Sequence, residues 1–197
     1  MRCWAKQIRG WLVALSFVTM SALGADISLR NPLLESVDDG YLLSADFNMN
    51  INNRLEEVIN KGVVLYFVVE FELTRSRWYW LDEQVVSRSR VFQLSYHALT
   101  RKYRLSTGTL HQGFATLDEA LRTMTSLRRW QVIERSEVRQ DLVYEAGLRM
   151  RLDLTQMPKT FQVSALSSRE WSLTSDWQRW NFVPRELATT PATGDVK

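Results

Sequence analysis

The side chains that most often carry chemistry are sparse in this sequence. Its 197 residues include two histidines, His97 and His111, and one cysteine, Cys3. The histidines fall on different predicted strands, and a zinc centre built on them would need carboxylates from elsewhere in the chain. His97 has the parity of a polar strand face, which reads as a surface histidine, so no metal site is expected. Glu70 and Glu72 alternate on one strand and sit about 7 Å apart by the strand rise. That pairing can serve acid and base roles in glycoside hydrolysis, but two solvent-facing glutamates on an amphipathic strand are the simpler reading. The phosphate-cradling loops G-x-x-x-x-G-K-S/T and G-x-G-x-x-G are absent, as are H-E-x-x-H and the nucleophile elbow G-x-S-x-G. A Ser-His-Asp arrangement is defined by geometry and stays open at this level. The expectation is a protein that is not an enzyme and needs no cofactor.

Tryptophan and arginine are the denser signals. Six of the eight tryptophans lie beyond residue 24: Trp78, Trp80, Trp130, Trp171, Trp177 and Trp180. Trp130, Trp171 and Trp177 read as core. Trp78 and Trp80 oppose the apolar face of their strand, where large rigid rings either bind sugars or peptides or cover a second layer. If Trp80 pairs with Val85 around a loop of residues 81–84, Phe71 faces Leu94 and Leu73 faces Phe92. The same register sets Arg75 against Arg90 and Arg77 against Arg88. Like charges directly opposite destabilise a sheet. The four arginines therefore imply either internal carboxylate partners or an acidic partner held through bidentate guanidinium contacts.

The elements that position these residues are mostly strands. Residues 27–37 and 41–49 flank Asp38-Asp39-Gly40, a turn triplet. In the second of these strands Tyr41, Leu43, Ala45, Phe47 and Met49 form one apolar face. Residues 52–61 predict a short helix capped by Asn52 or Asn53 and ended by Gly62. Strands are predicted over 63–73, 85–99, 102–107 and 110–115. Thr116 and Glu119 then form a capping box that opens an amphipathic helix reaching about residue 128. Strands follow at 130–134, at 144–154 with its even positions in the core, and at 161–166. A Trp-bearing stretch ends near Val183. The expected fold is mainly β, an antiparallel two-sheet β-sandwich with one or two short helices. It forms a single domain over residues 25–184, followed by a polar, disordered tail at 185–197.

The first 24 residues read as an address. Arg2, Lys6 and Arg9 precede the apolar run of residues 11–20, and Ala22 and Gly24 supply the small side chains of a cleavage site. The alternative, an uncleaved anchor, needs about 20 apolar residues to span a bilayer. These three cations account for the whole excess of 25 Lys and Arg over 22 Asp and Glu. The mature chain is therefore expected to be neutral, exported to the periplasm and free of a membrane span. Its charge supplies no reason to bind nucleic acid.

Three runs carry a family resemblance: residues 78–83 (WYWLDE), 96–105 (YHALTRKYRL) and 114–121 (FATLDEAL). A fourth series runs from Pro158 through Trp171 to Trp177. Together they resemble the exported proteobacterial domain-of-unknown-function family numbered 4390, over nearly the whole mature chain. The family has no established activity or catalytic residues, so the resemblance implies none. It does imply an exported protein, and the neighbourhood of family genes suggests a membrane sensor histidine kinase of the nitrogen-regulation type as partner. The sequence reading is thus a periplasmic binding or adaptor module acting through protein contacts. Arg75, Arg77, Arg88, Arg90, Trp78 and Trp80 are its candidate contact residues. The alternative is a sandwich that binds a small ligand or glycan through its Trp-rich surface.

Overall fold

A close backbone approach fixes the first hairpin. Gly40 has a φ of 152°, and a Cβ there would lie 2.1 Å from the Ile133 carbonyl oxygen. Only glycine closes this turn, joining strand β1 (Ile27–Val37) to β2 (Gly40–Met49). Tyr41, Leu43, Ala45 and Phe47 are buried as their alternation requires, while Met49 is half-buried. The edge strand β1 slips register between Arg30 and Leu33, where Asn31 adopts a φ of 48° ahead of Pro32. A bulge and a proline both blunt an exposed edge.

The computed structural model describes residues 27–76, 82–162, 171 and 173–185. The expected signal segment, the candidate contact residues Arg77, Trp78 and Trp80, and the expected tail after Arg185 lie outside the described residues. Helix α1 (Asn53–Asn60) begins where the Asn52 side chain accepts a hydrogen bond from the Leu55 amide at 2.9 Å. It buries Leu55, Val58 and Ile59. Then come β3 (Leu65–Arg75), β4 (Glu83–His97), β5 (Lys102–Thr107) and β6 (Leu110–Phe114). In helix α2 (Leu117–Thr125) the Thr116 hydroxyl accepts from the Glu119 amide at 3.3 Å, and the Glu119 carboxylate accepts from the Ala115 amide at 3.2 Å. The helix is shorter than its periodicity predicts, because β7 (Ser126–Glu134) starts at once, pairing Ser126 with Asp46 of β2. Strands β8 (Tyr144–Leu152) and β9 (Gln178–Phe182) complete the described elements.

Two antiparallel sheets result, in the orders β1-β2-β7 and β6-β5-β4-β3-β8-β9. The architecture is the expected mainly-β sandwich. Its layers are unequal. The small sheet lays β1 against β8 and β7 against β4, and α2 contacts β5 and β6. The core between the layers includes Phe67 and Phe71 of β3, Leu43 of β2 and Ile133 of β7, all fully buried. In β8 the even positions Tyr144, Ala146, Leu148, Met150 and Leu152 are buried. No described helix is long and apolar enough to cross a membrane.

Two sequence expectations are corrected. Residues 159–162 are helical, so the predicted strand at 161–166 does not begin at Phe161. The Pro158 carbonyl accepts from the Phe161 amide at 2.9 Å, and a proline's fixed φ suits the start of a helical turn. The β3–β4 register also differs by six residues: Phe71 faces Arg88 and Leu73 faces Val86, while Leu94 faces Leu65. Any even slip preserves the alternation of faces. The paired strands end at Arg75 and begin again at Glu83, so the pairing stops short of the predicted Trp80–Val85 pair.

Candidate functional site

The new register disperses the arginine cluster. Arg75 pairs across the hairpin base with Glu83 and forms a salt bridge with it. Arg88 and Arg90 have the parity of Val86, Phe92 and Leu94, which are buried, so they enter the space between the sheets. Arg88 reaches the 3-10 turn after β7 and bonds Glu137 at 2.6 Å. Glu137 is held in turn by the Glu134 amide at 2.8 Å. Arg88 therefore bolts the two layers together, and two of the expected contact residues are engaged by internal carboxylates.

Arg90 differs. Its guanidinium lies 4.9 Å from the ring centroid of the buried Trp130, and burial lowers its pKa. No carboxylate pairs with it among the described residues. It lines a pocket of about 350 Å³ with Phe92, Leu105, Leu110, Leu127 and Arg128. This pocket opens where the small sheet ends at β7 and α2 takes over the covering of β5 and β6. Thr107, Gln112, Thr123 and Ser126 supply uncharged polar groups, and no acidic residue among the described ones is part of the lining. Arg128, at the rim, is neutralised by Asp46 at 2.7 Å. The pocket thus pairs apolar walls with one stacked, partly desolvated cation. Such a group binds carboxylate or phosphate oxygens well, because the competing water is partly stripped already.

The other candidates resolve structurally. Glu70 sits on the outer face of the large sheet between Arg149 and Arg151, bonded to both. Burial alone would raise its pKa, but hydrogen bonds from Arg151 and Arg149 outweigh that and hold it below the usual carboxylate value. A carboxylate so held is a poor proton donor. Arg149 also stacks over Trp177 at 4.5 Å, with Arg179 at 5.5 Å. Trp177 is therefore half-buried on the outer face, not in the core, and it lies over Gly147, where a Cβ would meet its ring at 3.2 Å. Trp130 and Trp171 are core residues, as expected. His97 bonds the Thr100 hydroxyl at 3.1 Å and His111 the Ser106 hydroxyl at 2.7 Å. No three His, Cys, Asp or Glu side chains gather as metal ligands among the described residues.

A family model described as a domain of unknown function, DUF4390, matches residues 24–181. The chain belongs to that family. No curated protein and no solved structure matches it. The DUF4390 match covers every described element except the end of β9, so the pocket and Arg90 both lie inside the family region. The sequence signal for Arg90 was parity: a charged residue in step with Phe92 and Leu94.

Proposed function

We propose that this DUF4390 protein is an exported, non-enzymatic binding module, and that its ligand is a small, partly apolar anion seated between β7, α2 and the β4–β5 hairpin. The observation that carries this reading is Arg90, stacked on Trp130 and without a carboxylate partner among the described residues. An unpaired cation in a partly desolvated site is costly unless an anion offsets it. The Phe92, Leu105 and Leu127 walls favour an apolar body behind the anionic group, and the volume lies at the small end of ligand pockets. Export is supported by the layout of residues 1–24. The adaptor reading rested on export, the absence of catalytic motifs and a protruding Arg-Trp hairpin, of which Arg77, Trp78 and Trp80 lie outside the described residues. With Arg75 and Arg88 engaged by Glu83 and Glu137, the small-ligand reading is the stronger one.

The test uses protein recovered from the periplasmic fraction of cells expressing the full chain, whose intact mass also reports removal of residues 1–24. Straight-chain carboxylates should raise its Tm, and alcohols of equal length should not. Arg90→Met should weaken carboxylate binding by roughly 10- to 100-fold, the worth of a hydrogen bond to a charged group. Equal response to acids and alcohols, or unchanged affinity in Arg90→Met, overturns the reading.

A further inference from the structure

A second surface, sharing only Gln112 with the pocket, stands at the far end of the β4–β5 hairpin. Its turn carries Leu99, which is 92% exposed, the highest value among the described large hydrophobic side chains. The turn is built rather than slack: the Thr100 hydroxyl meets both the His97 ring and the His97 carbonyl, at 3.1 and 3.4 Å, and Arg101 takes a left-handed φ of 53°. A bulky apolar side chain is therefore held in water at the apex of a pinned turn.

Around it the charge is of one sign. Arg101 is in the turn, and Lys102 and Arg104 project from β5 on the outer face of the large sheet. None of the three forms an ion pair with a described residue. Lys102 and Arg104 line a shallow basin of about 300 Å³ with His97, Thr100 and His111, and no carboxylate borders it among the described residues. Gly113 of β6 forms part of its floor. The acidic side chains at this end, Glu56 and Asp118, lie on the opposite side of the sheet around a separate cavity. The segregation makes this end of the outer face cationic, with an apolar point at its edge.

We propose that this hairpin tip docks on an anionic lipid surface, with Leu99 entering the boundary between headgroups and acyl chains and Arg101, Lys102 and Arg104 contacting lipid phosphates. An exposed leucine ringed by unpaired cations matches a bilayer interface in both respects, since such binding combines buried apolar area with attraction to anionic lipid. A soluble acidic protein would satisfy the cations and leave Leu99 without a role.

The test places a nitroxide at the turn beside Leu99, in the full chain carrying Cys3→Ser and Ala98→Cys, which keeps Leu99 in place. Vesicles containing phosphatidylglycerol should shield the label from a water-soluble relaxation agent and expose it to oxygen, and neutral phosphatidylcholine vesicles should not. The label reports from the turn itself, so retention of the chain through residues 11–20 does not mimic the result. Co-sedimentation with the anionic vesicles should fall about tenfold in Leu99→Ser and about 30-fold in the Lys102→Gln/Arg104→Gln double variant. High salt should weaken binding in the parent chain. Leu99 is solvent-exposed, so the Tm of Leu99→Ser should stay within the spread of surface substitutions. A label that remains open to the aqueous agent on anionic vesicles overturns the proposal. So does binding that soluble glycerol phosphate abolishes, which would assign the basin to free phosphate esters.

Discussion

Replacing Arg90 with Met distinguishes a guanidinium that supports the fold from one that the fold merely tolerates. The substitution keeps an apolar stem against Phe92 and Trp130, removes the charge, and leaves no carboxylate stranded among the described residues. It costs the contact with Trp130, about 1 kcal/mol for a partly desolvated cation over an indole. It returns a thioether–ring contact of about 0.3–1.5 kcal/mol and relieves the burial that lowers the pKa of Arg90. The net change should lie within about 1 kcal/mol of zero, a Tm shift of no more than about 2–4 °C for a domain of this size. Arg88→Met is the control. It strips the bridge to Glu137, whose side chain is 25% exposed, and should cost about 1–2 kcal/mol, less at high salt. Urea unfolding of both variants without ligand, at low and high salt, makes the comparison. A loss of about 3 kcal/mol or more in Arg90→Met, the size seen when a buried charge pair is broken, would mean that the guanidinium holds the fold, and the ligand reading would lose its cation.

Two further perturbations follow from the geometry. Glu70 ionises more readily folded than unfolded, so its contribution is complete above the ordinary carboxylate range and is lost as pH falls through and below about 4. Glu70→Gln should cost about 1–3 kcal/mol at neutral pH and flatten that part of the acid-unfolding curve, as measured by circular dichroism against pH. Gly40→Ala should destabilise by more than about 2 kcal/mol in chemical denaturation, because its Cβ has no room beside the Ile133 backbone.

Local patterns were legible in the sequence. Asn52 or Asn53 and Thr116 marked the caps of α1 and α2, Asp38-Asp39-Gly40 marked the first turn, and the even positions of β8 marked one wall of the core. These features depend on neighbours a few residues away, so the chain states them directly. The β3–β4 register did not follow from alternation, because Phe71 can face Leu94 or Arg88 without changing which side of the sheet either strand buries. That choice belongs to the layer above: Arg88 finds Glu137 and Arg90 finds Trp130 only when β7 is in place. Arg149 shows the same limit. Its parity correctly marked the outer face, yet its contacts with Glu70 and Trp177 come from β3 and from the segment before β9. Paired guanidiniums across a hairpin were the wrong picture, while the parity of Arg90 already pointed inward.

The pairing of β2 with β7 has a consequence for the order in which the chain folds. Asp46 and Ser126 meet across 80 residues of sequence, whereas β1 and β2 join through a turn at Asp38 and Asp39. A hairpin forms within roughly 1–10 μs, but closing a loop of that length is slow, and contacts so far apart set the folding rate. A chain made from its N-terminus presents the β1–β2 hairpin long before residues 126–134 arrive. During that interval Leu43, Ala45 and Phe47 have no layer to bury them, and two strand edges stand open to other copies of the chain. The Asn31–Pro32 irregularity interrupts one of those edges from the outset. The other, along β2, is closed only by the late arrival of β7, so nascent chains are most vulnerable to aggregation along Gly40–Met49.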